Sequence, residues 1–152
     1  MIKTNIIKLT IIHCLTPLFV GGLLYIFFRS TDLRMFHWFS FLGLDHFITS
    51  ARDYFSVLKN DLPNWIYFSL PDGLWVYSFT SALLIYWRND IHKVKFWLLI
   101  PLTTGVLIEV LQGVKLFPGT FDFLDLAFTS LGLLLSAIII NYKFKQNEKT
   151  VF

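Results

Sequence analysis

The sequence predicts an all-α, polytopic membrane helical bundle, with four transmembrane helices and an interfacial or re-entrant helical connector between the first and second. Three observations predict it. Of 152 residues, 55% are hydrophobic, 18% aromatic and only 15% charged, whereas a water-soluble domain carries about 25% charged residues. The apolar residues are gathered into runs, several approaching or passing the roughly 20 residues of helix that a bilayer core takes. The segments between the runs differ in basic content, as loops on the two sides of a membrane do. Residues 1–152 read as one domain.

The first span covers residues 6–28. Lys3 and Lys8 ahead of an apolar run imitate a signal peptide. The run is long and no small-x-small cleavage site follows it, so the helix is expected to be retained. Pro17, Gly21 and Gly22 lie inside it. A kink there is tolerable if a neighbouring helix or the Thr16 hydroxyl takes up the freed backbone. His13 is expected to be a neutral, hydrogen-bonded packing residue. Cys14, the single cysteine, is expected to pack as a small apolar residue, with no disulfide partner in the chain.

The connector covers residues 29–73. Residues 35–48 are apolar and aromatic but include His37, Asp45 and His46. At about fourteen residues this stretch is short for a span and suits an interfacial or re-entrant helix. Residues 51–60 mix Arg52, Asp53 and Lys59 with Tyr54, Phe55, Val57 and Leu58, the pattern of an amphipathic helix on a membrane surface. Residues 60–73, with Pro63, Pro71 and Gly73, read as a connector with turns.

The second span covers residues 74–87, with Asp72 placed to cap it. Residues 88–95 read as a basic loop, 96–114 as the third span, 115–120 as a tight turn, 123–140 as the fourth span, and the remainder as a lysine-rich tail. With four spans, eight of the thirteen basic residues fall on the side of the two termini and the 88–95 loop. That places both termini in the cytoplasm of a cell-membrane protein. Eight of the ten acids fall on the opposite, outer side.

Three helix ends then meet on that side and bring Asp72, Glu109, Gln112, Asp122 and Asp125 to one depth. Glu109 and Gln112 are three apart and share a helix face, as do Asp122 and Asp125. Acids beside apolar helices are costly and point to a functional site with a partner. Like charges this close cannot all ionise without sharing a proton or a cation. Asp72 and Asp122 also fit as simple helix caps, and Glu109 as half of a structural pair. Asp125 lies one turn inside its helix, where capping does not account for it. His37 and His46 lack metal-ligand spacing, and no metal site is predicted. The pI of about 9.0 does not imply nucleic acid, because the basic residues come in ones and twos with no stripe to track a phosphate backbone. No Gly-rich phosphate loop and no GxSxG elbow occurs.

The pattern Glu109-x-x-Gln112, Pro118-Gly119, Asp122-x-x-Asp125 and then Gly132, closing DLAFTSLG, resembles the signature of the VanZ-like family of small bacterial membrane proteins. The resemblance covers about the last third of the chain; the four-span layout and Asp72 opening span two agree with it more loosely. Thr120 stands where that family usually has Arg, and Thr129 where it usually has Asn. The opening at Asp72-Gly73-Leu74-Trp75-Val76 lacks the family's Lys and His. The resemblance implies a divergent member, in a family named for a part in glycopeptide resistance; it names no cofactor, and a divalent cation stays open for the enzyme reading.

Two functions are open at this point. In the first, the outer acidic cleft binds a lipid headgroup, a lipid-linked envelope precursor or a partner helix through Asp72, Gln112 and Asp122. In the second, the protein is an intramembrane enzyme on a lipid or lipid-linked substrate, with Glu109 and Asp125 as the catalytic acid and base.

Overall fold

The computed structural model describes residues 2–59, 61–87, 91–117 and 120–149. Among them the chain is helical, with no strand. Among the described residues three stretches are long and apolar enough to cross a membrane: Ile6–Phe28, Phe96–Gly113 and Phe123–Lys145. The protein is therefore membrane-embedded.

The first of these is not one uniform helix. Helix α1 (Ile2–Thr10) passes through a π-helical turn, Ile11–Leu15, into α2 (Thr16–Phe28). Pro17 is the cause: its ring removes an N–H and crowds the preceding turn. Two hydroxyls bond carbonyls of this turn. Thr16 Oγ1 donates to the Ile11 carbonyl at 3.0 Å, and Ser78 Oγ, from a neighbouring helix, donates to the Cys14 carbonyl at 2.6 Å. His13 Nδ1 pairs with the Tyr77 hydroxyl at 2.6 Å, the packing role expected of it.

The connector differs in detail from its sequence reading. Residues 35–48 do not form one helix. Helix α3 (Arg34–Phe41) ends at Leu42, and α4 (Asp45–Lys59) begins after Gly43. Gly43 has φ +69°, a backbone conformation natural to glycine, and it turns the chain in open space. On α4, Ile48, Ala51, Arg52 and Phe55 face the protein at i, i+3, i+4, i+7 spacing. Phe55 stacks on Phe27 at 4.5 Å. The opposite face exposes Phe47, Tyr54 and Val57. Arg52 reaches the end of α2, donating to the carbonyls of Ile26 and, at 2.7 Å, Arg29. A cation there meets orphan carbonyls at the negative end of the helix. A short helix, α5 (Asn64–Phe68), follows Pro63 and stacks Tyr67 on Phe28 at 5.7 Å.

Helix α6 (Leu70–Tyr86) starts earlier than expected. Pro71, Asp72 and Gly73 form its first turn and not a turn before it. Proline costs no hydrogen bond there because that N–H is unpaired anyway. α6 has 17 residues, about 25 Å of helix, and lies at the centre. It packs most extensively on α8 and also meets α2, α7 and the π turn. Its buried face carries small residues: Gly73, Ser78, Thr80 and Ser81. Ser81 and Ser136 share a buried hydrogen bond at 2.8 Å. Small residues let helix backbones approach closely in lipid, where no hydrophobic driving force joins them.

Helix α7 (Ile91–Gly113) begins before its apolar stretch, so Lys93 and Lys95 are helical and not part of a loop. Arg88, Asn89 and Asp90 of that loop lie outside the described residues, as do Pro118 and Gly119 of the tight turn. Helix α8 (Phe123–Lys149) runs 27 residues without a break, so the lysine-rich segment read as a tail continues the helix through Lys149. Leu9, Cys14, Leu84, Ile85, Val94 and Ile140 pack into the hydrophobic core at the termini end of the bundle.

Candidate functional site

The opposite end of the bundle, beside the connector, is polar. There α2 ends, α6 begins, α7 ends and α8 begins. Glu109, one turn before the end of α7, is 5% exposed. Its Oε2 accepts the Asp122 N–H at 2.7 Å. A helix start has unpaired N–H groups and the positive end of the dipole, so a carboxylate from α7 caps α8 across the helix boundary. Asp122 Oδ1 accepts the Leu124 N–H at 2.8 Å, an N-cap within its own helix. The cap reading of Asp122 therefore describes its geometry.

Asp125 is different. It lies in the first turn of α8, where the sequence reading put it a turn deeper, and its Oδ1 is buried without a hydrogen-bond partner. The Glu109 and Asp125 carboxyls are not joined through these two oxygens: one is given to a backbone amide and the other is unpartnered. Gln112, half-buried three residues beyond Glu109, is engaged with a neighbour. Asp72, half-buried in the first turn of α6, lies in the field of Asp125, Arg29 and Glu109. Of the five acids and amides expected in one cluster, the structure thus divides the acids by task. Glu109 and Asp122 hold the start of α8, whereas Asp125, with its unpartnered oxygen, adds its charge to the field on Asp72.

Two further residues belong to the second group. Ser69, immediately before α6, is 0% exposed, and its hydroxyl lies beside Asp125 without completing a hydrogen bond. Arg29, just past α2, acts on both Asp72 and Asp125. Its guanidinium is held 5.2 Å from the Tyr25 and Phe68 ring centroids. Nη2 makes one long bond, 3.4 Å, to the Phe68 carbonyl, and Nε is buried and unpartnered. Burying an unpaired donor or carboxylate costs about 1–3 kcal/mol or more. Among the described residues three such atoms, on Arg29, Ser69 and Asp125, lie at this end, and two more, Trp75 Nε1 and Thr80 Oγ1, lie further along α6.

No family model, curated protein or solved structure matches this chain.

Sequence reasoning reached Asp72 and Asp125 but missed their partners. Arg29 reads as the charge that merely ends an apolar run, yet it supplies a cation to the cluster. Ser69 stands three residues before Asp72, the spacing of one helix face; that was the available signal, hidden because Pro71 and Gly73 suggested a turn. His37 and His46 are exposed on the connector. Among the described residues, no three His, Cys, Asp or Glu side chains gather as a metal site.

Proposed function

We propose that this is a divergent VanZ-like, multi-pass protein of the bacterial cell membrane whose polar end binds a lipid headgroup or a lipid-linked envelope precursor. In this reading α6 also crosses the membrane, as the second of four spans. Its 17 residues fall short of a bilayer core alone, but α2 and α8 wrap its polar face. Both termini are cytoplasmic and the connector lies in the outer leaflet, in keeping with the basic residues concentrated toward the termini. The exposed Phe41, Phe47, Tyr54 and Val57 of the connector favour that placement.

The observation that carries the reading is Ser69: a fully buried hydroxyl, unpartnered, beside a buried unpartnered carboxylate oxygen of Asp125. A ligand hydroxyl, amine or phosphate completes what the protein leaves unmade. The enzyme alternative, with Glu109 and Asp125 as acid and base, has less support, because Glu109 spends Oε2 on the Asp122 amide. The test is lipid enrichment. Wild-type protein purified in a polymer-bounded bilayer should carry one lipid class above its share of the surrounding membrane. Asp125→Asn should carry that class at its bulk share. A wild-type annulus identical to bulk would reject the proposal.

A further inference from the structure

The connector has a cavity of its own, of about 370 Å³, between α3, α4 and the turn that precedes α3. That volume is within the roughly 300–1,000 Å³ of small-ligand sites. The cavity shares no residue with the cluster around Asp72 and Asp125.

The α3 wall is aromatic. Phe36 and Phe39 meet edge to face, with ring centroids 6.0 Å apart and planes at 73°. Two rings at such an angle make a corner. Phe36 already receives one cation, for the Arg52 guanidinium carbon lies 5.0 Å from its centroid. The α4 wall is acidic. Asp45, Thr49 and Asp53 follow one another at four-residue intervals on α4, so they share a face, and all three line the cavity. These three residues are exposed, so the cavity is open to approach from that side. Among the described residues, no hydrogen bond engages either carboxylate or the Thr49 hydroxyl. Arg52 also lines the cavity but is committed elsewhere. Its two Nη groups donate to the carbonyls of Ile26 and Arg29, and the negative end of the α2 dipole offsets its charge.

These walls sort ligands by chemistry. An anion meets two carboxylates and finds the Arg52 Nη groups already bonded. A divalent ion finds no group of three ligating side chains among the described residues. A neutral apolar molecule gains nothing from the carboxylates. A primary ammonium has to shed strongly held water to lie against two phenyl rings. A quaternary ammonium sets methyl groups against the rings and its charge over their faces, and needs no hydrogen-bond acceptor.

We propose that this cavity is a second site that takes a quaternary ammonium, such as the trimethylammonium group of choline, with Phe36 and Phe39 as its aromatic walls and Asp45 and Asp53 as its counter-charges. The group arrives as a soluble cation or on a lipid headgroup; the chemistry that binds it is the same.

The experiment is a ligand-observed NMR titration of the full-length protein in maltoside micelles, each series referenced to protein-free micelles. The probes are choline, tetramethylammonium, ethanolamine and 3,3-dimethylbutanol, the uncharged isostere of choline. Choline and tetramethylammonium should bind saturably, and the isostere and ethanolamine about fivefold more weakly, the worth of a cation–π contact. Phe39→Leu keeps apolar bulk and loses a ring; it should weaken choline about fivefold and leave the isostere unchanged. Asp45→Asn combined with Asp53→Asn, at two exposed positions, keeps the test sound if Phe39→Leu does not purify. It should weaken both quaternary probes about fivefold, as the loss of two exposed ion pairs does.

Native mass spectrometry with phosphatidylcholine separates the two sources. Retained lipid that free choline displaces assigns the group to a headgroup, and choline binding without retained lipid assigns it to a soluble cation; either result supports the site. Choline bound no more tightly than its isostere, or no more tightly than ethanolamine, overturns the proposal. So does choline affinity unchanged in the double Asn variant, or no saturable binding of any ammonium.

Discussion

A methyl group placed on Gly132 of α8 would overlap the backbone carbonyl oxygen of Gly73 on α6. The two glycines mark where the central pair of helices touch backbone to backbone, at the residue after Asp72 on α6 and two turns along α8 from Asp125. The obstacle is main chain, so it cannot rotate away. Gly132→Ala should therefore force α6 and α8 apart, at a cost of about 3 kcal/mol. Gly22→Ala is the matched control: a Cβ there meets nothing within 4 Å, and the change should be neutral or stabilise by up to about 1 kcal/mol. Thermal unfolding in detergent, followed by circular dichroism, distinguishes them. Equal melting temperatures for the two variants would contradict the close crossing.

Glu109 offers a separation of charge from capping. In Glu109→Gln the side chain still presents an oxygen to the Asp122 N–H, so the protein should fold and purify as wild type. Glu109→Ala orphans that amide and should cost about 1–3 kcal/mol. If the charge of Glu109 also serves the site through Asp72, the Gln variant keeps its melting temperature and loses lipid enrichment. A Gln variant as unstable as Ala would contradict the cap assignment.

Arg52 clasps the end of α2 through the carbonyls of Ile26 and Arg29. Its removal frees two acceptors and the joint that holds α4 to the bundle. Arg52→Ala should raise hydrogen exchange across Asp45–Lys59 by about tenfold or more, the equivalent of one hydrogen bond to a charged group, with α8 unchanged. Protection of α4 equal to wild type would show that Phe55 stacking on Phe27 alone seats it.

Topology is checked by labelling. A cysteine at Lys59, whose side chain is exposed, should react with an impermeant reagent added to intact cells. A reporter fused after residue 152, or inserted at residues 88–90, should read cytoplasmic. A periplasmic C-terminal reporter would remove the fourth span. A cysteine at Arg52 is the weaker probe, because that position is half-buried against α2.

Much of the architecture was legible because apolar length and charge breaks are local. Ile6–Phe28 follows directly from them. The depth of Glu109 and Asp125 followed from counting along two helices joined by a short turn. What was hidden depends on tertiary position. Pro71-Asp72-Gly73 looks the same in sequence whether it turns the chain or opens a helix. The choice is made by α8, whose Gly132 needs Gly73 inside a helix to lie against. Glu109 and Asp125 at equal depth read as a pair, and spacing alone did not show that the backbone amide of Asp122 takes one Glu109 oxygen. Arg29 joins the carboxylates from the far end of another helix, a convergence no spacing within the chain reveals.

The π turn at Ile11–Leu15 has one more consequence, which is angular. Leu9, Gly21 and Phe28 are all buried. At about 100° per residue, the nineteen steps from Leu9 to Phe28 would leave a regular α-helix roughly 100° out of phase between its two ends. The wide turn absorbs one residue, and the phase error falls to about zero. The bulge thus works as a phase corrector, setting the rotation at which Arg29 arrives beside Asp72 and Asp125. A helix carrying such a surplus residue has one place where shortening does no harm. Deleting the exposed Ile12 turns the segment into plain α-helix and keeps Leu9 and Phe28 aligned, whereas deleting a single residue between Gly22 and Phe28 swings the arginine away from its carboxylates.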